Sequence, residues 1–173
     1  ESMCAATLQV CSALHEAGVK ISFDPNVRKE LMGNAGYLAA VDEIMSLTSI
    51  FLPSEDDAAA LFPGKSFAEF ATPLLAAHMD YFVLKKGDHG CEAMDKTGQR
   101  LRLPPHKVEA LDPTGAGDSF CATFVTLTAG GQLSFPDVLS RANAAGALAV
   151  TKLGPMEGSG TLAEIEKFLA SRP

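Results

Sequence analysis

The sequence has 173 residues, of which 47% are hydrophobic and 20% are charged, and its net charge is −7 at pH 7. This length and apolar content suit one domain with a sizeable buried core. The negative charge argues against a nucleic-acid-binding protein, since no basic stripe is present to neutralise phosphates. The four cysteines lack C-x-x-C spacing, and charges or glycines interrupt the longest apolar stretches. We therefore expect no disulfides, bound zinc, signal peptide or membrane span. We expect a cytoplasmic location.

The amino-terminal half reads as alternating helices and strands. Apolar residues recur at helical spacing over residues 3–17 and stop at Gly18, a residue type that commonly ends helices. The run 19–23 then predicts a buried strand. Ser54 opens a short helix with acidic residues in its first turn, and Pro73 is expected to break or bend a later one. The helices of this half are predicted at 3–17, 37–48, 54–61 and 67–79, with strands at 19–23 and 49–52.

The carboxyl-terminal half begins with a strand at 81–85 and a hairpin that pairs 91–95 with 99–103 across Lys96-Thr97-Gly98. Helical patterns then cover 116–129, 135–151 and 162–170. Alternating β and α units predict an α/β fold in which a mostly parallel sheet carries helices on both faces.

The most informative segment is 112–120, with the sequence Asp-Pro-Thr-Gly-Ala-Gly-Asp-Ser-Phe. Gly115, Ala116 and Gly117 are small enough for backbone N–H groups to approach an anion, and glycine admits the positive φ values that form a concave nest. The following helix adds unpaired N–H groups and the positive end of its dipole. Asp118 falls in the first turn, where a carboxylate can accept a hydroxyl proton. The segment predicts a site of phosphoryl transfer.

On residue types alone, the same segment fits a structural interpretation equally well. It could be a capped helix after a proline turn, with Thr114 as the N-cap and Asp118 as a partner of the helix dipole. Glycine-rich helix starts are common, so the rest of the chain has to distinguish the two.

The segment resembles the carboxyl-terminal signature of the ribokinase-like (PfkB) carbohydrate kinases, D-T-x-G-A-G-D. Further resemblances to that family follow in the same order along the chain, from about Gly18 to Gly158. They are Asp24-Pro25-Asn26-Val27-Arg28 for D-x-N-x-R, Pro53-Ser54-Glu55-Asp56-Asp57 for P-N-x-x-E, Lys85-Lys86-Gly87-Asp88-His89-Gly90 for K-x-G-x-x-G, and Asn143 within the small-residue helix 142–147.

The resemblance implies an enzyme that uses ATP and Mg²⁺ to phosphorylate a sugar hydroxyl. Asp118 would remove the proton, while the amides of Gly115, Ala116 and Gly117 would hold the γ-phosphate. The residues implied to border the nucleotide are Lys85, Gly87, Gly90, Asn143 and Ser54. Those implied to face the substrate are Asp24, Asn26 and Arg28, and Asp57 is implied to help hold Mg²⁺.

The chain departs from the family pattern at two positions. Ser54 stands where Asn is usual, and Asp57 stands where Glu is usual, so the magnesium-organising carboxylate is shorter by one methylene. The D-P-N-x-R form is similar to that of 2-keto-3-deoxygluconate kinases, in which the Arg meets an anionic substrate. A keto-deoxy sugar acid is therefore the first expected substrate, and a ketohexose, as for fructokinase-like or tagatose kinase-like relatives, is the second.

Four of these segments each follow a strand-like run, so Asp24, Ser54, Gly87 and Gly115 are expected at the carboxyl ends of strands, where α/β folds bind ligands. Relatives also carry an amino-terminal half with further strands, a β lid and a Gly-Gly sugar-binding segment. Residues 1–173 are thus expected to form the carboxyl-terminal nucleotide-binding and catalytic portion of a ribokinase-like three-layer sandwich that lacks those strands and the lid.

Two consequences follow from that expectation. The chain alone should have little or no kinase activity, because catalysis needs both reactants held within attack distance. An exposed sheet edge and apolar face should favour a homo-oligomer. The alternatives are a non-catalytic nucleotide-binding or assembly module and, less well supported, a dinucleotide-dependent oxidoreductase or a P-loop kinase. This chain has no G-x-G-x-x-G after its first strand, as a dinucleotide-dependent oxidoreductase would have. It also has no Lys at the position that a P-loop kinase requires.

Overall fold

The structure is a computed structural model that describes residues 3–171. Its helices are α1 (Met3–Glu16), α2 (Ala35–Leu47), α3 (Glu55–Leu61), α4 (Phe67–Ala77), α5 (Ala116–Gly130), α6 (Phe135–Ala149) and α7 (Leu162–Ala170). Its strands are β1 (Ser22–Phe23), β2 (Ile50–Phe51), β3 (Tyr81–Lys85), β4 (Cys91–Asp95) and β5 (Arg100–Leu103). The described residues fall into two compact units, an amino-terminal unit (3–84 and 93–100) and a carboxyl-terminal unit (85–92 and 101–171).

The strands form a mixed sheet in the order β1-β2-β3-β4-β5. β1, β2 and β3 run parallel, with Ser22 opposite Ile50 and Ile50 opposite Tyr81. β4 and β5 are joined by the predicted hairpin, in which the Asp95 N–H donates to the Gln99 carbonyl at 3.1 Å. The α/β architecture predicted from alternating patterns is therefore confirmed.

Aromatic side chains form the core of the amino-terminal unit. Phe51 of β2 and Phe82 of β3 are fully buried and meet edge to face, with ring centroids 5.2 Å apart. Phe67 and Phe70 of α4 pack on Phe82 at 5.6 and 5.1 Å. This packing explains why α4 continues through Pro73, where the sequence predicts a break or bend, since buried apolar side chains anchor the helix on both sides of the missing N–H.

The predicted buried strand at 19–23 needs correction, because only Ser22 and Phe23 are in β1. Val19 is 47% exposed, and β1 lies at the end of the strand order with β2 as its neighbour. The residues before it belong to the helix end: Gly18 adopts φ 76°, and the Val19 N–H bonds back to the Leu14 carbonyl at 2.9 Å. The other predicted elements are confirmed with shifts of a few residues at their ends.

Small residues bring α6 close to the start of α5 in the carboxyl-terminal unit. A Cβ placed on Gly146 of α6 would lie 3.3 Å from the Ala116 carbonyl oxygen and 3.6 Å from Cβ of Phe120. Ala144 and Ala145, on the same helix, pack with Ile165 of α7. The small residues of α6 therefore allow its backbone to approach the start of α5 closely. Within residues 3–171, none of the helices has the length and apolar character needed to cross a membrane.

Candidate active site

The start of α5 has one feature of the predicted anion cradle, a left-handed glycine before the helix, while the Ala116 N–H donates to the Pro113 carbonyl at 3.3 Å. Anion binding there stays a prediction. Gly115 is its N-cap and adopts the left-handed conformation, with φ 80° and ψ −3°. A Cβ at this position would collide with the Pro155 carbonyl, so both the backbone angle and the space require glycine. The N-cap of α5 is therefore Gly115 and not Thr114, as the structural interpretation of the segment had it. The first amides of α5 have no capping side chain.

Asp112 holds the turn before the cradle and the loop after α6. Its carboxylate accepts the Thr114 N–H at 2.9 Å and the Gly154 N–H, 42 residues further along the chain, also at 2.9 Å. The hydrogen bonds from Thr114, followed by that from Gly154, hold the pKa of Asp112 below its ordinary value. Ser119 and Ser159 add a hydroxyl contact of 3.0 Å. This role of Asp112 was not predicted from the sequence, although Asp two residues before Thr is a common turn signal.

Asp118, the predicted base, is the third residue of α5, and its side chain is exposed. Among the described residues it has no hydrogen bond or ion pair. The other helices with a carboxylate at the third position differ: α3, α4 and α7 each use it in a capping box with a Ser or Thr N-cap, and in α6 Asp137 accepts the hydroxyl of the Ser134 N-cap. In α5 the N-cap has no hydroxyl and its backbone is left-handed, and the exposed Asp118 makes no capping bond to it.

The predicted nucleotide residues of the carboxyl-terminal unit take different positions. Lys85 ends β3, and its Nζ donates to Sγ of Cys121 at 3.3 Å. Gly87 is exposed with φ 54°, and Gly90, with φ 85°, is buried where a Cβ would collide with the Leu103 carbonyl. Asn143 is 9% exposed, and its Nδ2 donates to the Pro104 carbonyl at 2.9 Å. The structure shows a packing role for Asn143, and its nucleotide contact stays a prediction.

A cavity of about 410 Å³ also lies in the carboxyl-terminal unit. Its lining residues are Val108, Glu109, Leu111, Leu148, Thr151 and Phe168. None of the residues predicted from sequence lines it. Its largely apolar wall suits a flat apolar group better than a phosphate.

The predicted substrate residues follow β1 in the amino-terminal unit, where Asp57 ties their loop to α3. The Val27 N–H donates to Oδ1 of Asp57 at 2.6 Å. Oδ2 of Asp57 accepts the Ser54 N–H at 2.9 Å and the Ser54 hydroxyl at 2.6 Å. Asp57 is 6% exposed, so its carboxylate is a buried link between the helix start and the loop 24–28. This long-range bond is a role that sequence reasoning missed.

The loop residues themselves differ in exposure. Asp24 is half-buried, whereas Asn26 and Arg28 are exposed. Asn26 has φ 39°, in the left-handed region that Asn tolerates better than most residues. Within residues 3–171, the Arg28 guanidinium has no hydrogen bond or ion pair, so it is available to an anion from solution.

Oδ1 of Asp57 accepts one hydrogen bond and Oδ2 accepts two, and the role of this side chain in holding Mg²⁺ stays a prediction. The described residues contain no group of three or more His, Cys, Asp or Glu side chains that could hold a metal ion. Mg²⁺ in kinases is held largely by the phosphates of the nucleotide and enters with it as part of the substrate.

The start of α5 thus places an exposed carboxylate three residues after a left-handed glycine, on an α/β scaffold. The chain belongs to the pfkB family of carbohydrate kinases, which it matches over residues 1–162.

Individual relatives agree with this assignment. The chain is 29% identical to the 2-dehydro-3-deoxygluconokinase of Bacillus subtilis, covering 96% of this chain and 51% of that protein. It is 30% identical to fructokinase-2 of Zea mays, covering 95% of this chain and 51% of that one. A structure from E. coli that carries the name Ribokinase II, in complex with ATP and Mg²⁺, superposes with a TM-score of 0.90 at 32% identity, covering 96% of this chain and 54% of that one. The chain spans about half the length of the curated relatives it matches.

Proposed function

We propose that this chain supplies the nucleotide-binding and catalytic portion of an ATP-dependent carbohydrate kinase. The observation that carries the proposal is the exposed carboxylate of Asp118, at a helix position where other helices of the chain use their carboxylate for capping. The family assignment and the ATP and Mg²⁺ bound to the E. coli relative support it.

In the proposed reaction, Asp118 accepts the proton of a sugar hydroxyl as the hydroxyl oxygen attacks the γ-phosphorus of MgATP. The new bond joins that oxygen to the γ-phosphorus. The bond between the γ-phosphorus and the oxygen that bridges it to the β-phosphorus breaks, and ADP leaves with that oxygen. The amides at the start of α5 are directed by the left-handed Gly115 and would stabilise the charge on the transferred group. The clamp of Asp112 on Thr114 and Gly154 keeps that turn in place.

For the substrate, we propose a keto-deoxy sugar acid first and a ketohexose second. The support is the exposed Arg28, which has no ionic partner among the described residues and could bind a carboxylate in bidentate fashion. Relatives of both kinds are among those the chain resembles. A homo-oligomer in the cytoplasm stays an expectation; the exposed apolar side chains of α1, such as Met3 and Val10, support self-association.

The test compares the complete gene product that contains this chain with the chain itself. We expect the complete product to phosphorylate 2-keto-3-deoxygluconate faster than fructose or tagatose, and the chain alone to bind MgATP with little turnover. Asp118→Asn in the complete product should lower kcat by about 10²- to 10⁴-fold while MgATP still binds, because only the proton acceptor is lost.

Equal turnover by the Asp118→Asn variant would contradict the role of Asp118 as base. Binding of MgATP without turnover, even by the complete product, would favour the non-catalytic nucleotide-binding module. Absence of MgATP binding by both proteins would overturn the proposal altogether. Asp88→Asn, which removes an exposed carboxylate from the turn at Gly87–His89, is the control for the loss of one negative charge.

A further inference from the structure

Glu92 of β4 is a buried carboxylate that the proposed reaction does not use. It is 2% exposed, and glutamate is almost never buried to this extent unless it is paired. Its Oε1 and Oε2 accept hydrogen bonds from Nη2 of Arg102 at 3.2 and 3.1 Å. Nζ of Lys86 lies 3.9 Å from Oε2. The carboxylate therefore has one cation from β5 and one from the turn after β3 beside it.

Lys86 begins the turn 86–90, which carries two of the glycines implied to border the nucleotide. Its N–H donates to the Gly90 carbonyl at 2.9 Å, and its carbonyl accepts the His89 N–H at 2.8 Å. The backbone of Lys86 thus closes the turn. Its side chain extends to Glu92, two residues beyond the turn, so the ion pair links the first residue of the turn to the strand that follows it.

The end of the same turn packs on β5. A Cβ on Gly90 would collide with the Leu103 carbonyl, so the two backbones are in close approach there. Arg102, the neighbour of Leu103, is the residue that donates to Glu92. One buried carboxylate therefore joins the start of the turn to the strand against which the end of the turn packs.

We infer that Glu92 is a positioning residue that holds the turn 86–90 in the conformation that binds the nucleotide. This inference rests on the proposed function. Because Glu92 is buried, it acts through Lys86 and Arg102 and not by contact with the ligand. A turn that is already held in its binding conformation does not have to be ordered when the nucleotide binds, which improves affinity.

The charge of Glu92 alone would have the opposite effect. Removal of a negative charge beside Lys86 raises the positive potential at the turn and favours an anionic nucleotide. Loss of positioning weakens nucleotide binding instead. The sign of the change in affinity therefore distinguishes a positioning residue from one that only tunes the local charge.

The first measurement is hydrogen exchange of this chain without nucleotide, for the wild type, Glu92→Gln, Lys86→Met and the double variant. We expect Glu92→Gln to speed exchange of the His89 and Gly90 amides by about 3- to 20-fold relative to the slowest amides of the chain, which report global unfolding. Lys86→Met should act in the same direction. The double variant should show about the larger of the two single effects, since both substitutions remove the same ion pair.

The second measurement is the affinity of the same proteins for MgATP by calorimetry. Glu92→Gln should weaken binding by about 3- to 20-fold, and by less than about 2-fold when Lys86 is already Met, because the carboxylate acts through that side chain. Glu166→Gln is the matched control. It removes another glutamate that accepts a hydrogen bond from an arginine, Arg141 at 2.6 Å, and should leave the turn and the affinity unchanged.

The complete gene product adds a kinetic measurement. Glu92→Gln should raise the KM for MgATP there while kcat changes by less than about 2-fold, since the proton acceptor at the start of α5 is untouched. A lower kcat with an unchanged KM would contradict a role in positioning the nucleotide turn.

Unchanged exchange at His89 and Gly90 would overturn the inference, and so would unchanged or tighter MgATP binding by Glu92→Gln. Equal effects of Glu92→Gln with and without Lys86 would also overturn it. Urea unfolding identifies a variant that fails to fold, and if Glu92→Gln did so, unchanged exchange in Lys86→Met would decide against the inference. If the wild type bound no MgATP while the turn amides still responded to Glu92→Gln, the proposed function would be at fault and not the hold of Glu92 on the turn.

Discussion

The helices α3 and α5 both have an aspartate as their third residue. In α3 it accepts hydrogen bonds from the N-cap, whereas in α5 it does not. In α3, Ser54 is the N-cap, and Asp57 folds back to accept its N–H and hydroxyl. In α5, Gly115 is the N-cap, no capping bond forms, and Asp118 faces solvent. The identity of the residue three positions earlier therefore decides whether a carboxylate stabilises its helix or is available for chemistry.

The largest expected effect concerns the N-cap of α5. Gly115→Ala should destabilise the chain by roughly 3 kcal/mol and abolish MgATP binding, because the new Cβ meets the Pro155 carbonyl and the left-handed φ is strained. Gly117→Ala is the matched control, since its Cβ would make an ordinary contact of 3.5 Å with Lys85. Urea unfolding and calorimetry measure both effects. If the two variants were equally stable, the close approach at Gly115 would not constrain the cradle.

Substitution by asparagine should lower the unfolding free energy much more at Asp57 than at Asp118. Asp57→Asn should cost about 2 kcal/mol of unfolding free energy, because a buried carboxylate that accepts three hydrogen bonds is replaced by an amide that can accept on one side only. Asp118→Asn should change the unfolding free energy by less than about 0.5 kcal/mol, as is usual for an exposed site.

Asp56→Asn, on the exposed neighbour of Asp57, controls for the loss of one charge near the start of α3. A destabilisation by Asp118→Asn as large as that by Asp57→Asn would show that the α5 carboxylate also supports its helix, and the contrast between the two helices would fail.

The smallest effect is a pH dependence at α4, which has the same capping box as α3. The hydrogen bond from the Ser66 side chain, followed by that from its backbone, lowers the pKa of Glu69 from its ordinary value of 4.5. A lowered folded-state pKa means that Glu69 stabilises the chain above about pH 4.5 and that this stabilisation is lost as the pH falls through the folded-state pKa.

The difference in unfolding free energy between the wild type and Glu69→Gln should therefore shrink as the pH is lowered from 6 to about 3. Repeating the comparison in a Ser66→Ala background removes the hydroxyl donor and leaves the backbone N–H, so the slope of the profile should decrease without vanishing. An unchanged slope without the Ser66 hydroxyl would mean that the side-chain hydrogen bond is not the main cause.

The sequence predicts local features of this chain well, since most element ends depend on neighbours within four residues. The capping boxes at Ser54, Ser66 and Thr161 are visible as Ser or Thr followed three residues later by an acidic residue, and the absence of that pattern at Gly115 is equally visible. The left-handed turn before α5 and the hairpin follow from glycine placement in the same way.

What the sequence did not predict depends on contacts between distant residues. The bond from Val27 to Asp57 spans 30 residues, and the bond from Gly154 to Asp112 spans 42. No local pattern encodes either pairing. The length of β1 was overestimated for a related reason, since apolar composition predicted burial of Val19 without information on which elements would cover it.

The clamp of Asp112 on Gly154 has a practical consequence for protein engineering. The cradle is not a contiguous peptide that can be grafted into another scaffold, because its turn is bounded by the carbonyl of Pro155 and tied through Asp112 to the loop after α6. A host protein would need both segments, held in the same separation, before the glycine-rich sequence could adopt its shape. Libraries that aim to transplant this motif should therefore carry residues 112–119 and 150–159 together.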